Sequence, residues 1–134
     1  HMMNFLLILH NIYLQFNFLQ KIRTNDFKSI KELLHLNLSY NQLETIEPFE
    51  NFFLRVLDMS HNRIINLNEK TFSKCMNLSS LNLSYNSLSQ IKSNHFKGLI
   101  KLTALILSNN KIIDIENSSF IDLSILKNKA TFSL

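Results

Sequence analysis

Asp58, Ser60 and His61 are the residues of this chain that come nearest to a catalytic set. A serine hydroxyl becomes a useful nucleophile when an imidazole takes its proton and a carboxylate orients that imidazole. Adjacent side chains on an extended segment point to different faces or diverge. The trio is therefore not expected to converge, and no catalytic residue is assigned. His10 and His35 could approach each other if their segments lie side by side, but two imidazoles without a carboxylate or thiolate make a poor metal site. They are expected to be solvated, with no metal and no cofactor. The single cysteine, Cys75, excludes an internal disulfide framework and any multi-cysteine zinc site. With one glycine, Gly98, there is no Gly-rich phosphate loop, which removes the common nucleotide-binding enzymes. Asn-x-Ser sequons at Asn37, Asn77, Asn82 and Asn117 are candidate glycosylation points. A chain this rich in Asn and Ser would carry about three by composition alone.

What positions these residues is a repeat. Asn17, Asn41, Asn62, Asn86 and Asn110 are spaced by 24, 21, 24 and 24 residues. Each closes the pattern L-x-x-L-x-L-x-x-N-x-L, from Leu9, Ile12, Leu14, Asn17 and Leu19 through to Leu102, Leu105, Leu107, Asn110 and Ile112, with Met59 and Ile64 as further aliphatic substitutes. An aliphatic residue follows at Ile22, Ile46, Leu67, Ile91 and Ile115, then a phenylalanine at Phe27, Phe72, Phe96 and Phe120. The second unit is three residues short, and Phe49, Phe52 and Phe53 compete for its phenylalanine position. Cys75 falls in an inward aliphatic column with Ile30, Leu99 and Leu123, where a small buried hydrophobe is expected.

Period-two alternation around Leu36 and Leu38 predicts a short strand with leucines inward and the intervening residues outward. One unit cannot bury its own leucines, but stacked units can, giving a parallel sheet over a continuous leucine core. The asparagines suit the strand end, where a buried amide satisfies turn carbonyls and amides that the ladder no longer pairs. The outward positions include Tyr13, His35, Arg55 and Asp58, the column Ser39, Ser60, Ser84 and Ser108, and a last strand column of Phe16, Tyr40, His61 and Tyr85 that ends at Asn109. Those rings, on strands about 5 Å apart, are expected to form an aromatic strip of the kind found at binding surfaces. Arg55 is the only lysine or arginine on this face. The net charge of +4 over 134 residues is too dilute to indicate a nucleic-acid or membrane surface, so nucleic acid is disfavoured. No apolar run approaches the roughly 20 residues of a membrane span, so no membrane insertion by this segment is expected.

These five units resemble the leucine-rich repeat family in its 24-residue class, over about residues 3–126, and the L-x-L-S-x-N variant at Leu36–Asn41 and Leu81–Asn86 resembles Toll-like receptor ectodomains. The resemblance implies an α/β-type solenoid, an arc with a short parallel β-sheet on its concave face and irregular or 3-10 connections on its convex face. It implies a non-enzymatic recognition module for a protein or microbial ligand, in an extracellular or cell-surface innate immune receptor. An intracellular scaffold in the cytoplasm is the alternative, favoured by the lack of cysteine caps. The expected partner-binding residues are Tyr13, Phe16, His35, Tyr40, Arg55, Asp58, His61 and Tyr85, with Asn17, Asn41, Asn62, Asn86 and Asn110 as a structural ladder. His1 and Met2 read as an expression remnant, and residues 3–8 as the tail of a preceding repeat. Although Met3–Leu9 is apolar enough for a signal peptide, it lacks a basic flank and a cleavage site. Repeats span 9–32, 33–53, 54–77, 78–101 and 102–125. Residues 126–134 are a degenerate end, with Lys129 and Thr131 where leucines belong. Two unfinished ends, with Met3, Leu6 and Leu9 exposed at one and Leu126 at the other, predict a homodimer through uncapped ends, the N-terminal end being the expected contact.

Overall fold

The computed structural model describes residues 9–126 and the backbone of 131–133. Each five-leucine unit opens on a three-residue strand: β1 (Asn11–Tyr13), β3 (His35–Asn37), β5 (Val56–Asp58), β6 (Ser80–Asn82) and β8 (Ala104–Ile106). They pair in parallel with β10 (Thr131–Ser133) in the order β1-β3-β5-β6-β8-β10. The register is set by the leucine period, so Ile12, Leu36, Leu57, Leu81 and Leu105 lie rung upon rung. From Leu36 onward these central residues are fully buried, and with Leu33, Leu38, Leu54, Leu78, Leu83, Leu102 and Leu107 they form one continuous core. Ile12, Leu14 and Leu19 of the first unit are only partly buried against it.

The chain returns to the next strand through single turns with i to i+3 hydrogen bonds, such as Cys75 N–H to the Phe72 carbonyl at 2.9 Å and Leu99 N–H to that of Phe96 at 3.3 Å. Behind the leucines the phenylalanines stack, with ring centroids 6.4 Å apart for Phe49–Phe72 and Phe72–Phe96 and 6.0 Å for Phe96–Phe120. Phe49 thus takes the position contested in the short unit, while Phe52 and Phe53 remain half exposed.

A second set of strands runs along one flank: β2 (Lys21–Ile22) with β4 (Thr45–Ile46), and β7 (Gln90–Ile91) with β9 (Asp114–Ile115). The third unit joins neither pair, for a local reason. Glu47 and Glu116 send their N–H groups back to the carbonyls of Ile22 (3.0 Å) and Ile91 (2.9 Å). Their carboxylates accept from Thr24 N–H at 3.1 Å and Ser93 N–H at 2.9 Å. The third unit has Asn68 at this position, and its N–H turns inward to Thr71 Oγ1 at 3.0 Å, leaving a groove of about 400 Å3 beside Ile65–Asn68.

One expectation about the end of the chain is corrected. Counting 24 residues places Thr131 in a leucine position, but Phe132 pairs with Leu105, so the last connection is three residues longer and a sixth strand is recovered. Met3 and Leu6, expected at the dimer contact, and Lys129 lie outside the described residues, while Leu9 beside them is 41% exposed and Leu126, expected bare at the other end, is buried.

Candidate interaction surface

Beyond each strand the chain must turn without a glycine, and the asparagine column is what turns it. Asn41 Nδ2 donates to the carbonyls of Leu14 (2.9 Å), Leu38 (3.0 Å) and Ser39 (3.2 Å), while its Oδ1 accepts from Leu19 N–H at 3.1 Å. Asn62 and Asn86 repeat all four bonds, and Asn110 bridges the Leu83 and Leu107 carbonyls and the Leu88 N–H in the same way. Each amide therefore ties its own unit to the one before it. Asn17 differs: it is exposed and, among the described residues, reaches only the Leu14 and Gln15 carbonyls of its own turn.

The residue before each of these asparagines is in the left-handed region. Phe16, Tyr40, His61, Tyr85 and Asn109 have φ of 57°, 53°, 53°, 53° and 56°. A side chain there costs roughly 1 to 2 kcal/mol against glycine or an ordinary conformation. Two interactions oppose that cost. The N–H groups of Phe16, Tyr40, His61 and Tyr85 each donate to the serine carbonyl of the following unit at 2.9–3.2 Å. The rings also stack face to face, with centroids 4.5 Å apart for Phe16–Tyr40, 4.1 Å for Tyr40–His61 and 4.2 Å for His61–Tyr85, and planes within 20°. Such a contact is worth about 0.5 to 1.5 kcal/mol beyond burial. These residues are not the last strand column that alternation predicts, since they lie in the turn beyond it. The left-handed backbone brings the rings together as a rim along the sheet edge, with Phe16 72%, Tyr40 44% and Tyr85 49% exposed.

On the sheet itself Tyr13 and His35 are exposed and Asp58 is half-buried, and Arg55, just before β5, is exposed. The serine column is not outward as expected: Ser39, Ser60 and Ser84 are buried, and their hydroxyls donate at 2.7 Å to Oδ1 of Asn37, Asp58 and Asn82. Asp58 and Ser60 therefore converge rather than diverge, because the strand ends between them and the backbone folds the serine back. His61 does not join them, being sandwiched between Tyr40 and Tyr85. Ser60 so lacks the imidazole that would take its proton. His10 sits 3.2 Å from Glu32 and thus has the carboxylate partner that sequence reasoning denied it. Among the described residues no three potential ligands come together to hold a metal ion.

Of the sequon asparagines, Asn117 is exposed and the rest are half-buried. Asn77 is engaged on both atoms, donating to the Phe52 carbonyl at 2.9 Å and accepting from Lys101 Nζ at 2.7 Å. Cys75 is fully buried, and burial pushes its thiol up to about 12, opposed by a hydrogen bond from the Asn51 backbone.

Sequence reasoning missed His95. It is buried, and its Nδ1 accepts Lys92 N–H at 3.1 Å, as Asp26 accepts Arg23 N–H and Thr71 accepts Asn68 N–H in earlier units. Burial, reinforced by nearby Lys92, holds its pKa below the ordinary histidine value. The signal lay in a column of residues able to accept a hydrogen bond, which share no letter.

The repeat fold has counterparts among known proteins. The family model for leucine rich repeats matches residues 9–50, 53–112 and 77–128. Mimecan of Gallus gallus is 38% identical over 56 residues, 42% of this chain and 19% of mimecan. Among solved structures, the chain is similar to one in the Toll–Spatzle complex of Drosophila, with 27% identity and a TM-score of 0.83 over 87% of this chain and 16% of that one. It is also similar to one in the TLR13–ssRNA13 complex, with 26% identity and a TM-score of 0.64 over 87% and 20%. The chain thus spans a fifth or less of the length of each. Among the described residues no helix is long and apolar enough to cross a membrane.

Proposed function

Because the chain belongs to the leucine-rich repeat family, we propose that it is a non-enzymatic recognition module from the ectodomain of a cell-surface receptor of the innate immune type. Its ligand, a protein or microbial molecule, lies on the concave strands and the aromatic rim. Tyr13, His35, Arg55 and Asp58 would contact it from the sheet, and Phe16, Tyr40, His61 and Tyr85 from the edge. The observation that carries this reading is the four-ring stack. The core does not need these rings, and they occupy backbone that favours glycine. Rigid, exposed aromatic side chains of this sort are the usual anchors of binding surfaces. Toll in complex with Spatzle and TLR13 in complex with single-stranded RNA support a ligand-binding ectodomain, and mimecan supports an extracellular setting. A buried thiol as the single cysteine suits a reducing compartment equally well, so a cytoplasmic interaction module is the second reading.

Two experiments test the proposal. The complete gene should encode a signal sequence before this segment and a membrane span after it, and a complete reading frame with neither overturns the receptor reading. The surface is tested with peptides selected on the chain from a displayed library. Replacing Tyr40 and Tyr85 together by alanine should weaken the selected peptides roughly thirty-fold, the loss expected for an anchor worth about 2 kcal/mol. Phe52→Ala, on the opposite side, should leave them unchanged. The reverse pattern removes the rim from the site.

A further inference from the structure

One row of the concave face has a chemistry that its neighbours lack. The strand register places Tyr13, Asn37, Asp58, Asn82 and Ile106 side by side on β1, β3, β5, β6 and β8. The three central members share one local fold. Oδ1 of Asn37 accepts the Ser39 N–H at 3.0 Å and its hydroxyl at 2.7 Å. Oδ1 of Asp58 accepts the same pair from Ser60 at 2.9 and 2.7 Å, and Oδ1 of Asn82 accepts it from Ser84 at 3.0 and 2.7 Å. A backbone N–H can only donate, so the atom facing it is an oxygen and the amide orientation is fixed. The remaining atom of each group, Nδ2 of Asn37, Oδ2 of Asp58 and Nδ2 of Asn82, has no hydrogen-bond partner among the described residues. Asp58 makes no ion pair among them either, although Arg55 immediately precedes the same strand. With strands about 4.8 Å apart, this is a donor, an anionic acceptor and a donor at regular intervals, flanked by an aromatic and an aliphatic side chain.

We propose that this row docks a basic side chain, lysine or arginine, of a protein partner. The partner's cation is taken by Oδ2 of Asp58, and carbonyl oxygens on either side of it accept from Nδ2 of Asn37 and of Asn82. The inference rests on the concave-face reading above and specifies the class of ligand. Charge complementarity carries it: a half-buried carboxylate with one oxygen already engaged and the other unpartnered favours an opposite charge, and a charge-assisted hydrogen bond is the strong kind. Each group is locked by its own serine turn before any partner arrives, so little ordering opposes docking. A phosphate backbone would meet the Asp58 charge head-on, which disfavours nucleic acid in this row. A glycan on Asn37 or Asn82 would occupy the same Nδ2 atom, so the site requires both to be unmodified.

The test uses the full chain labelled with 15N and two acetylated, amidated pentapeptides, Ala-Val-Arg-Val-Ala and its citrulline counterpart, which keeps the shape of arginine and removes the charge. The arginine peptide should shift the side-chain amide signals of Asn37 and Asn82 and bind about tenfold more tightly than the citrulline peptide. Asp58→Asn should erase that preference. This variant keeps its fold, since Asn37 and Asn82 already make the same turn. Equal affinities for the two peptides, or a preference that survives Asp58→Asn, overturn the inference. So does a ten-nucleotide oligothymidylate that shifts the same amide signals more strongly than either peptide. If both peptides shift the Tyr40 and Tyr85 signals without charge preference, the basic-anchor inference fails while the concave-face reading stands. If no probe moves any signal on sheet or rim, both fail.

Discussion

Asn86 holds two units together with four hydrogen bonds, and Asn17, the same residue type in the same motif position, holds one turn with two. Asn86→Ala strands buried turn groups of both units and should cost about 1 to 3 kcal/mol by chemical denaturation, whereas Asn17→Ala, in water, should cost a small fraction of that. The asparagine spacing was legible because every unit needs the same amide; what it could not convey was that the first unit's amide is exposed and, among the described residues, bonds only within its own turn. His95 has the opposite history. Its neutral ring accepts the Lys92 N–H, and protonation would both remove that acceptor and place a charge in a buried turn. With a folded pKa held below the ordinary 6.5, the unfolded chain takes up the proton first as pH falls. Stability is therefore full above about pH 6.5 and declines below it, toward the folded value. Denaturation midpoints at pH 7.5 and pH 5 should show this loss, and His95→Thr, which copies Thr71, should reduce it.

At the scale of elements, the concave strands were written in the leucine period, and the flank strands were not. A two-residue strand leaves no alternation to read, and its pairing depends on whether Glu47 or Glu116 stands where Asn68 stands in the third unit. Hydrogen exchange should expose the difference. The N–H groups of Ile65, Asn66 and Leu67 have no hydrogen-bond acceptor among the described residues, so they should exchange far faster than those of Leu57 and Leu81 in the sheet. Equal protection would mean that the flank ladder runs unbroken. Acid should loosen the two flank pairs as well. Glu47 is held below the usual carboxylate value by Lys21 and then by Thr24 N–H, and Glu116 by Ser93 N–H, so their contribution is present above the ordinary carboxylate pKa and lost as pH falls through the depressed one. The aromatic rim was legible as a column but not as a turn, because alternation says nothing of where a strand ends and a positive φ begins.

The whole molecule is a one-dimensional stack, each unit touching only its neighbours, so a defect at the middle is felt on both sides. Phe72, fully buried between Phe49 and Phe96, is the central phenylalanine of the convex spine. Phe72→Ala should cost about 3 to 5 kcal/mol, while Phe52→Ala, half exposed and outside the spine, should cost less than about 1 kcal/mol. Denaturant titration of the two variants measures both; a small loss at Phe72 would mean that the units stand without the spine. The rim gives the same stack a built-in signal. There is no tryptophan in the chain, so its longest-wavelength absorption and its emission come from tyrosine, and two of the three tyrosines lie face to face with one imidazole. A partner that covers the rim changes the surroundings of those two tyrosines, so occupancy of the edge should be readable in unlabelled solution, by circular dichroism and fluorescence alone.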